Sequence, residues 1–256
     1  MNDGQKNALD FLLFSYFFFS LEDLKYKDAD SIANLIIKRA YRDASSHVLS
    51  VQAVKPKDPQ KFNTPEELKE AASGMISAYL NCLQQTERDD DTYITWHSNL
   101  CSNLIVLYEN AGCTWGTNNG KDLAFSYGVA QKWVNMTMKY MVITADLCAL
   151  CDDDFGFVQK FGDMIAKFRN DFHAPVDRYI IDAAWKFANI TPDTEDHQES
   201  KPKRPKKCTT PWSRWNPKMY EQFSGALKSE LDKEGKSPLD WEGPAWIEQA
   251  KGNKGK

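Results

Sequence analysis

A second CxxC pair is missing from this chain, and histidine is scarce, with four in 256 residues. Cysteines stand at positions 82, 101, 113, 148, 151 and 208. Only Cys148 and Cys151 have the spacing of a metal-ligand pair, so a structural zinc site is not expected and no cofactor is implied. Also missing is any apolar run of about 20 residues, which excludes a bilayer-spanning helix. The most apolar stretch, Leu9 to Leu21, is interrupted by Asp10 and closed by Glu22-Asp23. It carries almost none of the Lys and Arg of a helix lying on a membrane surface, so a buried N-terminal helix is the expectation. The first residues have no charged n-region and no small-residue cleavage site, which points to a cytoplasmic address with reduced thiols. Positive charge is not in excess. The net charge of −4 and a pI near 5.7 argue against a polyanion partner unless the cations are clustered. No internal repeat is visible, and no β-alternation runs longer than four residues.

What is present is helical periodicity, with 42% hydrophobic residues to form a core. Asp28 to Ser46 repeats Ile32, Leu35, Ile36 and Ala40 on one face. Thr64-Pro65-Glu66-Glu67 combines a capping box with proline at the first helical position and should open a helix to about Gln85. Tyr93 to Asn110 follows Asp89, Asp90 and Asp91, acidic residues suited to a helix start. Phe155 to Phe172 carries Phe157, Phe161, Ile165 and Phe168 at helical spacing. Asp177 is placed to cap a helix through Ile180, Ile181, Ala184, Trp185 and Phe187. Asn216-Pro217 and Ser237-Pro238 open two more helices, and the tail from Lys251 should fray. Val48 to Asn63 and Gly112 to Gly120 read as loops.

The organising stretch is Tyr127-Gly128-Val129-Ala130-Gln131-Lys132-Trp133-Val134-Asn135. It reads as a tight turn, in which Gly128 can enter positive φ, followed at once by a helix bearing Met136, Met138, Met141 and Val142. Free amides at such a helix start, with the positive end of the helix dipole and Lys132 in the first turn, would form an anion site.

Gly128-Val129-x-x-Lys132-x-x-Asn135, followed by Pro175-Val176-Asp177, resembles the hairpin and downstream aspartate of the helix-hairpin-helix DNA glycosylases, the superfamily of endonuclease III and the 8-oxoguanine glycosylases. The pattern's leading Leu-Pro is Ser126-Tyr127 here, its second glycine is Ala130, and 45 positions separate Lys132 from Asp177. The resemblance covers residues 120 to 190. It implies a mostly α, two-lobed helical fold around a cleft, with a core over residues 1–190, a charged Pro-rich linker over 191–210, and Trp-rich helices over 211–250 packed on the core.

The resemblance also implies a chemistry. Lys132 would attack the sugar C1′ carbon, expel a damaged or modified base and form a Schiff base that permits strand cleavage, and Asp177 would accept the proton and stabilise the charge developing on the sugar. In a monofunctional enzyme Asp177 would activate water instead. The base would be flipped into a pocket, for which Trp133 and His173 are the neighbouring candidates. Gly128, Val129, Ala130 and Gln131 would contact DNA, together with Lys203, Arg204, Lys206 and Lys207 of a basic run holding five cations in seven residues. The partner would be double-stranded DNA, without a membrane, and the protein a monomer. Two other classes stay open. One is a catalytically silent helical protein that binds nucleic acid or a partner through Trp212, Trp215, Trp241 and Trp246. The other is a helical ribonuclease using Arg169, Asn170 and His173, although three residues stand between Arg and His where that family's motif has four to six.

Overall fold

The computed structural model of the 256-residue chain describes residues 1–45, 51–54, 62, 64–118, 121–151, 153–192 and 208–253. Its first helix, α1 (Asp3–Phe17), begins at a reciprocal cap between Asn2 and Gln5 and ends at Phe18, which adopts a left-handed conformation at φ 64°. Asp10, the residue that breaks the apolar run, accepts the Leu21 amide at 2.6 Å and ties α1 to α2 (Leu21–Tyr26). The expected buried helix is therefore two helices, and only one stripe of α1 is inside. Leu9, Leu13 and Phe17 recur every fourth residue and are buried, whereas Phe11 and Leu12 are 71% and 62% exposed. The reason is position: α1 lies at the rim and meets the core along a single face.

The protein is mostly helical, and α6 (Tyr127–Cys148) is its axis. Apolar residues nearly encircle this helix, which suits an element packed on several sides. Its most extensive partner is α3 (Ala29–Ser45), and α5 (Thr92–Asn110), α7 (Gly156–Phe168) and α9 (Pro217–Lys233) also pack on it. α4 (Pro65–Gln85) bridges α3 and α5, and the Thr64 hydroxyl accepts the Glu67 amide at its start. α8 (Arg178–Ala188) packs on α10 (Pro238–Asn253). The latter continues past Lys251, where the sequence suggests fraying.

The two stretches read as loops contain β1 (Val51–Val54) and β2 (Cys113–Asn118), which with β3 (Lys121–Leu123), just beyond the second, form a small antiparallel sheet in the order β1-β2-β3. Val51 pairs with Trp115, more than 60 residues away in sequence. Strands of three to six residues show no alternation long enough to recognise, and pairing at that distance is a tertiary event. α5 and α6 are consequently joined through the β2–β3 hairpin, and β3 rather than a helix precedes α6. Among the described residues, no helix is long and apolar enough to cross a membrane.

Candidate functional site

The start of α6 sets the site. Ser126 is its N-cap, accepting the Val129 amide at 3.2 Å while its hydroxyl donates to the Ser213 carbonyl at 2.5 Å. The Gly128 amide donates to the Trp215 carbonyl at 3.1 Å, and the Ala130 amide to Ser126 at 3.0 Å. A 3-10 turn (Trp212–Arg214), continued by Trp215, thus crosses the helix start and takes the Gly128 amide, while Ser126 takes those of Val129 and Ala130, so these three do not meet an anion. Gly128 itself is helical; the described glycines with positive φ are Gly112 and Gly235. Glycine is required at 128 for a different reason, since a Cβ there would lie 1.8 Å from the Trp212 carbonyl oxygen. Gly128, Val129, Ala130 and Gln131 are all buried, so this turn offers no surface to DNA. Lys203, Arg204, Lys206 and Lys207 lie outside the described residues.

Lys132 falls in the second turn of α6, and its residue is 7% exposed. Its Nζ lies 3.6 Å from Asp177 Oδ2 and 4.5 Å from the centre of the Trp212 ring. Asp177 is fixed on both oxygens. Oδ1 accepts the Tyr179 and Ile180 amides at 2.9 and 3.1 Å as the N-cap of α8, and Oδ2 accepts Trp246 Nε1 at 3.2 Å.

The 45-residue separation is closed by the two polar residues that flank Lys132 on α6. Gln131 Nε2 donates to the Val176 carbonyl at 3.3 Å, and Asn135 Nδ2 to the Ala174 carbonyl at 3.2 Å. Asn135 Nδ2 also reaches Tyr220 Oη at 2.8 Å, while its Oδ1 lies 2.9 Å from His97 Nε2. His97 Nε2 must then be the protonated nitrogen. Tyr220, receiving from Asn135, donates in turn to His173 Nδ1 at 2.8 Å. Burial holds both imidazoles low: His97 well below its ordinary value, with His173 beside it adding to the effect, and His173 down to about 4, with Lys228 adding to the effect. Pairing through α6 thereby places the Ala174–Asp177 segment so that Asp177 faces Lys132.

Lys132 and Asp177 line a pocket of about 640 Å³ walled by α1, α3, α6, α8 and α10. Within it Lys139 pairs with Glu242 at 2.6 Å. Glu242 is 2% exposed, and burial raises its carboxyl against the pull of Lys139. Tyr16, Asp43 and Tyr140 form a third polar group on the wall, and Leu13, Met136 and Trp246 supply apolar surface. Apart from Trp246, named for a partner-binding role, none of these was singled out from sequence as a site residue. The spacing of Lys132, Met136, Lys139, Tyr140 and Ile143 on one helix carried a signal, whereas Asp43 and Glu242 had none.

The other sequence candidates lie elsewhere. Trp133 is fully buried, donates to the Ile37 carbonyl at 3.0 Å and packs against Tyr41, all within the core. His173 belongs to the buried network and lines a separate small cavity with Tyr220. Neither borders the pocket of Lys132, because each projects from its element toward a different partner. Arg169 holds Asp146 through both terminal nitrogens, at 2.8 and 3.0 Å, and Asp240 at 3.1 Å, while His173 points inward. The two groups of the ribonuclease reading therefore do not share an open site.

Comparison of the chain with known protein families, curated proteins and solved structures found no match.

Proposed function

We propose that the chain is a DNA glycosylase acting as a monomer on double-stranded DNA, with the pocket between α6, α8 and their neighbours as the cleft of a two-lobed glycosylase fold. One observation carries this reading. The lysine and the aspartate that the resemblance makes catalytic, 45 positions apart in sequence, stand 3.6 Å apart on the wall of one pocket. A cavity of about 640 Å³ is within the usual range for small-molecule sites, and its aromatic and aliphatic walls suit a flipped base. Lys132 would attack C1′ as the bond to the base breaks, and Asp177 would take the amine's proton and stabilise the positive charge on the sugar. The Trp212 ring beneath the amine and the Trp246 indole on the carboxylate fix both groups before substrate arrives. With the α6 amides occupied, phosphate contacts are assigned to the basic run of Lys203, Arg204, Lys206 and Lys207.

Borohydride trapping tests the reading. The protein is incubated with duplexes bearing oxidised, alkylated or enzymatically modified bases, and the expected product is a covalent adduct that maps to Lys132 and is lost in Lys132→Gln. Base release without an adduct would assign Asp177 as the activator of water. Absence of base release from every duplex would remove the enzyme reading and leave the second one, a catalytically silent helical binding protein, which the closed start of α6 favours.

A further inference from the structure

Two turns along α6 from Lys132, about 12 Å at 1.5 Å per residue, Tyr140 enters the same pocket beside Tyr16 and Asp43. The proton count of this group is determined by its geometry. Tyr140 Oη donates to Asp43 Oδ2. Tyr16 Oη lies 2.7 Å from Tyr140 Oη and 3.5 Å from Asp43 Oδ2, so its single proton is also directed into the cluster. On the far side, Arg39 holds the other carboxylate oxygen at 3.3 Å and lies over the Tyr16 ring at 4.2 Å. Both hydroxyl donors are thus consumed internally, and this group presents oxygen lone pairs to the cavity, while the cavity's ammonium donors, Lys132 and Lys139, are paired with Asp177 and Glu242. Tyr140 is 2% exposed, and burial keeps its phenol protonated far above the ordinary range. Tyr140 therefore remains a neutral donor to Asp43.

We propose that Tyr16, Asp43 and Tyr140 are the specificity-determining wall of the pocket, selecting a nucleobase whose inserted edge carries N–H donors, above all an exocyclic amino group, over one that presents a carbonyl. The proposal rests on the glycosylase reading for the kind of ligand but not for the reaction. An oxo edge would set oxygen lone pairs against oxygen lone pairs and leave a buried acceptor unpaired, whereas an amino edge satisfies both sides. Tyr16 contributes the accessible acceptor, being 43% exposed on α1.

Free bases test this without any chemical step. Calorimetric titration of the full chain with adenine against hypoxanthine, and with cytosine against uracil, should show the amino-bearing base of each pair binding about tenfold more tightly, the equivalent of one well-made buried hydrogen bond. Tyr16→Phe, at a half-exposed position, should reduce the preference severalfold. Asp43→Asn, which introduces an N–H donor, should level or invert it. Equal affinities, a preference for the oxo base, a preference undiminished in both variants, or no binding of any of the four bases would overturn the proposal. Failure of the glycosylase reading would look different, with selective binding intact and no base released from DNA.

Discussion

Gly128 and Trp212 approach so closely that a methyl group on the first would sit 1.8 Å from the carbonyl oxygen of the second. The obstacle is backbone, not a flexible side chain, so Gly128→Ala must push the 3-10 turn off the helix start or lose the Gly128–Trp215 hydrogen bond. A loss of about 1–3 kcal/mol or more is expected. Chemical denaturation of the variant checks it, and an unchanged midpoint would show that the turn does not seat on α6. Because the same turn carries Trp212 over the Lys132 amine, any catalytic activity should fall more steeply than stability.

Lys132 and Asp177 should differ sharply in what their removal costs the fold. Asp177 without Lys132 retains two backbone amides and an indole N–H, so Lys132→Met should lie within about 1 kcal/mol of wild type. Asp177→Ala removes a cap worth about 1 kcal/mol and strands a buried amine, so a total of roughly 3 kcal/mol is expected. Asp177→Asn keeps the cap and should fall between them. Equal destabilisation by Lys132→Met and Asp177→Ala would contradict this account of the pair.

Asn135 satisfies His97, Tyr220 and the Ala174 carbonyl simultaneously. Asn135→Leu leaves several buried polar groups unpaired at about 1–3 kcal/mol each. The variant should be strongly destabilised, and proteolysis near residues 172–177 should accelerate even where it still folds. A near-neutral result in thermal melts would mean that the network is not what holds the segment to α6.

Acid should weaken the protein through its two buried imidazoles. His97 and His173 have folded values below the unfolded value of about 6.5, His173 near 4. The unfolded chain therefore binds more protons, and this contribution is intact above about pH 6.5 and lost as pH falls toward 4. At pH 5 His173 alone costs on the order of 2 kcal/mol, and His97 acts in the same direction. Denaturation midpoints at pH 7.5 and 5 should separate clearly, and His173→Gln should narrow the gap. A flat profile would place both imidazoles in contact with water.

Under the proposed DNA-binding function, replacing the cations of Lys201 to Lys207 with Ser should weaken DNA affinity and reduce the salt slope by about one for each phosphate no longer neutralised. An unchanged slope would assign the run to solvent.

Local sequence determined most of the helical frame. Thr64, Asp177 and Asn216 each cap the helix that their chemistry announces, because a cap is a contact between residues two or three apart, and Ser126 caps α6 where the sequence reads as a turn. Local sequence did not decide which face of α1 turns inward, since Phe11, Leu12 and Phe14 are as apolar as Leu9, Leu13 and Phe17 and yet exposed. Tertiary structure decided the rest. That Gly128 serves a close approach and not a turn depends on Trp212, 84 positions away. The β1–β2 pairing joins strands too short to be seen alone. Lys132 and Asp177 could be named from sequence, but their meeting depends on Gln131 and Asn135 gripping the Ala174–Val176 carbonyls. Asp43 and Glu242 enter the pocket from α3 and α10 with no local mark, because a carboxylate's role is set by what surrounds it, and its neighbours here come from distant parts of the chain.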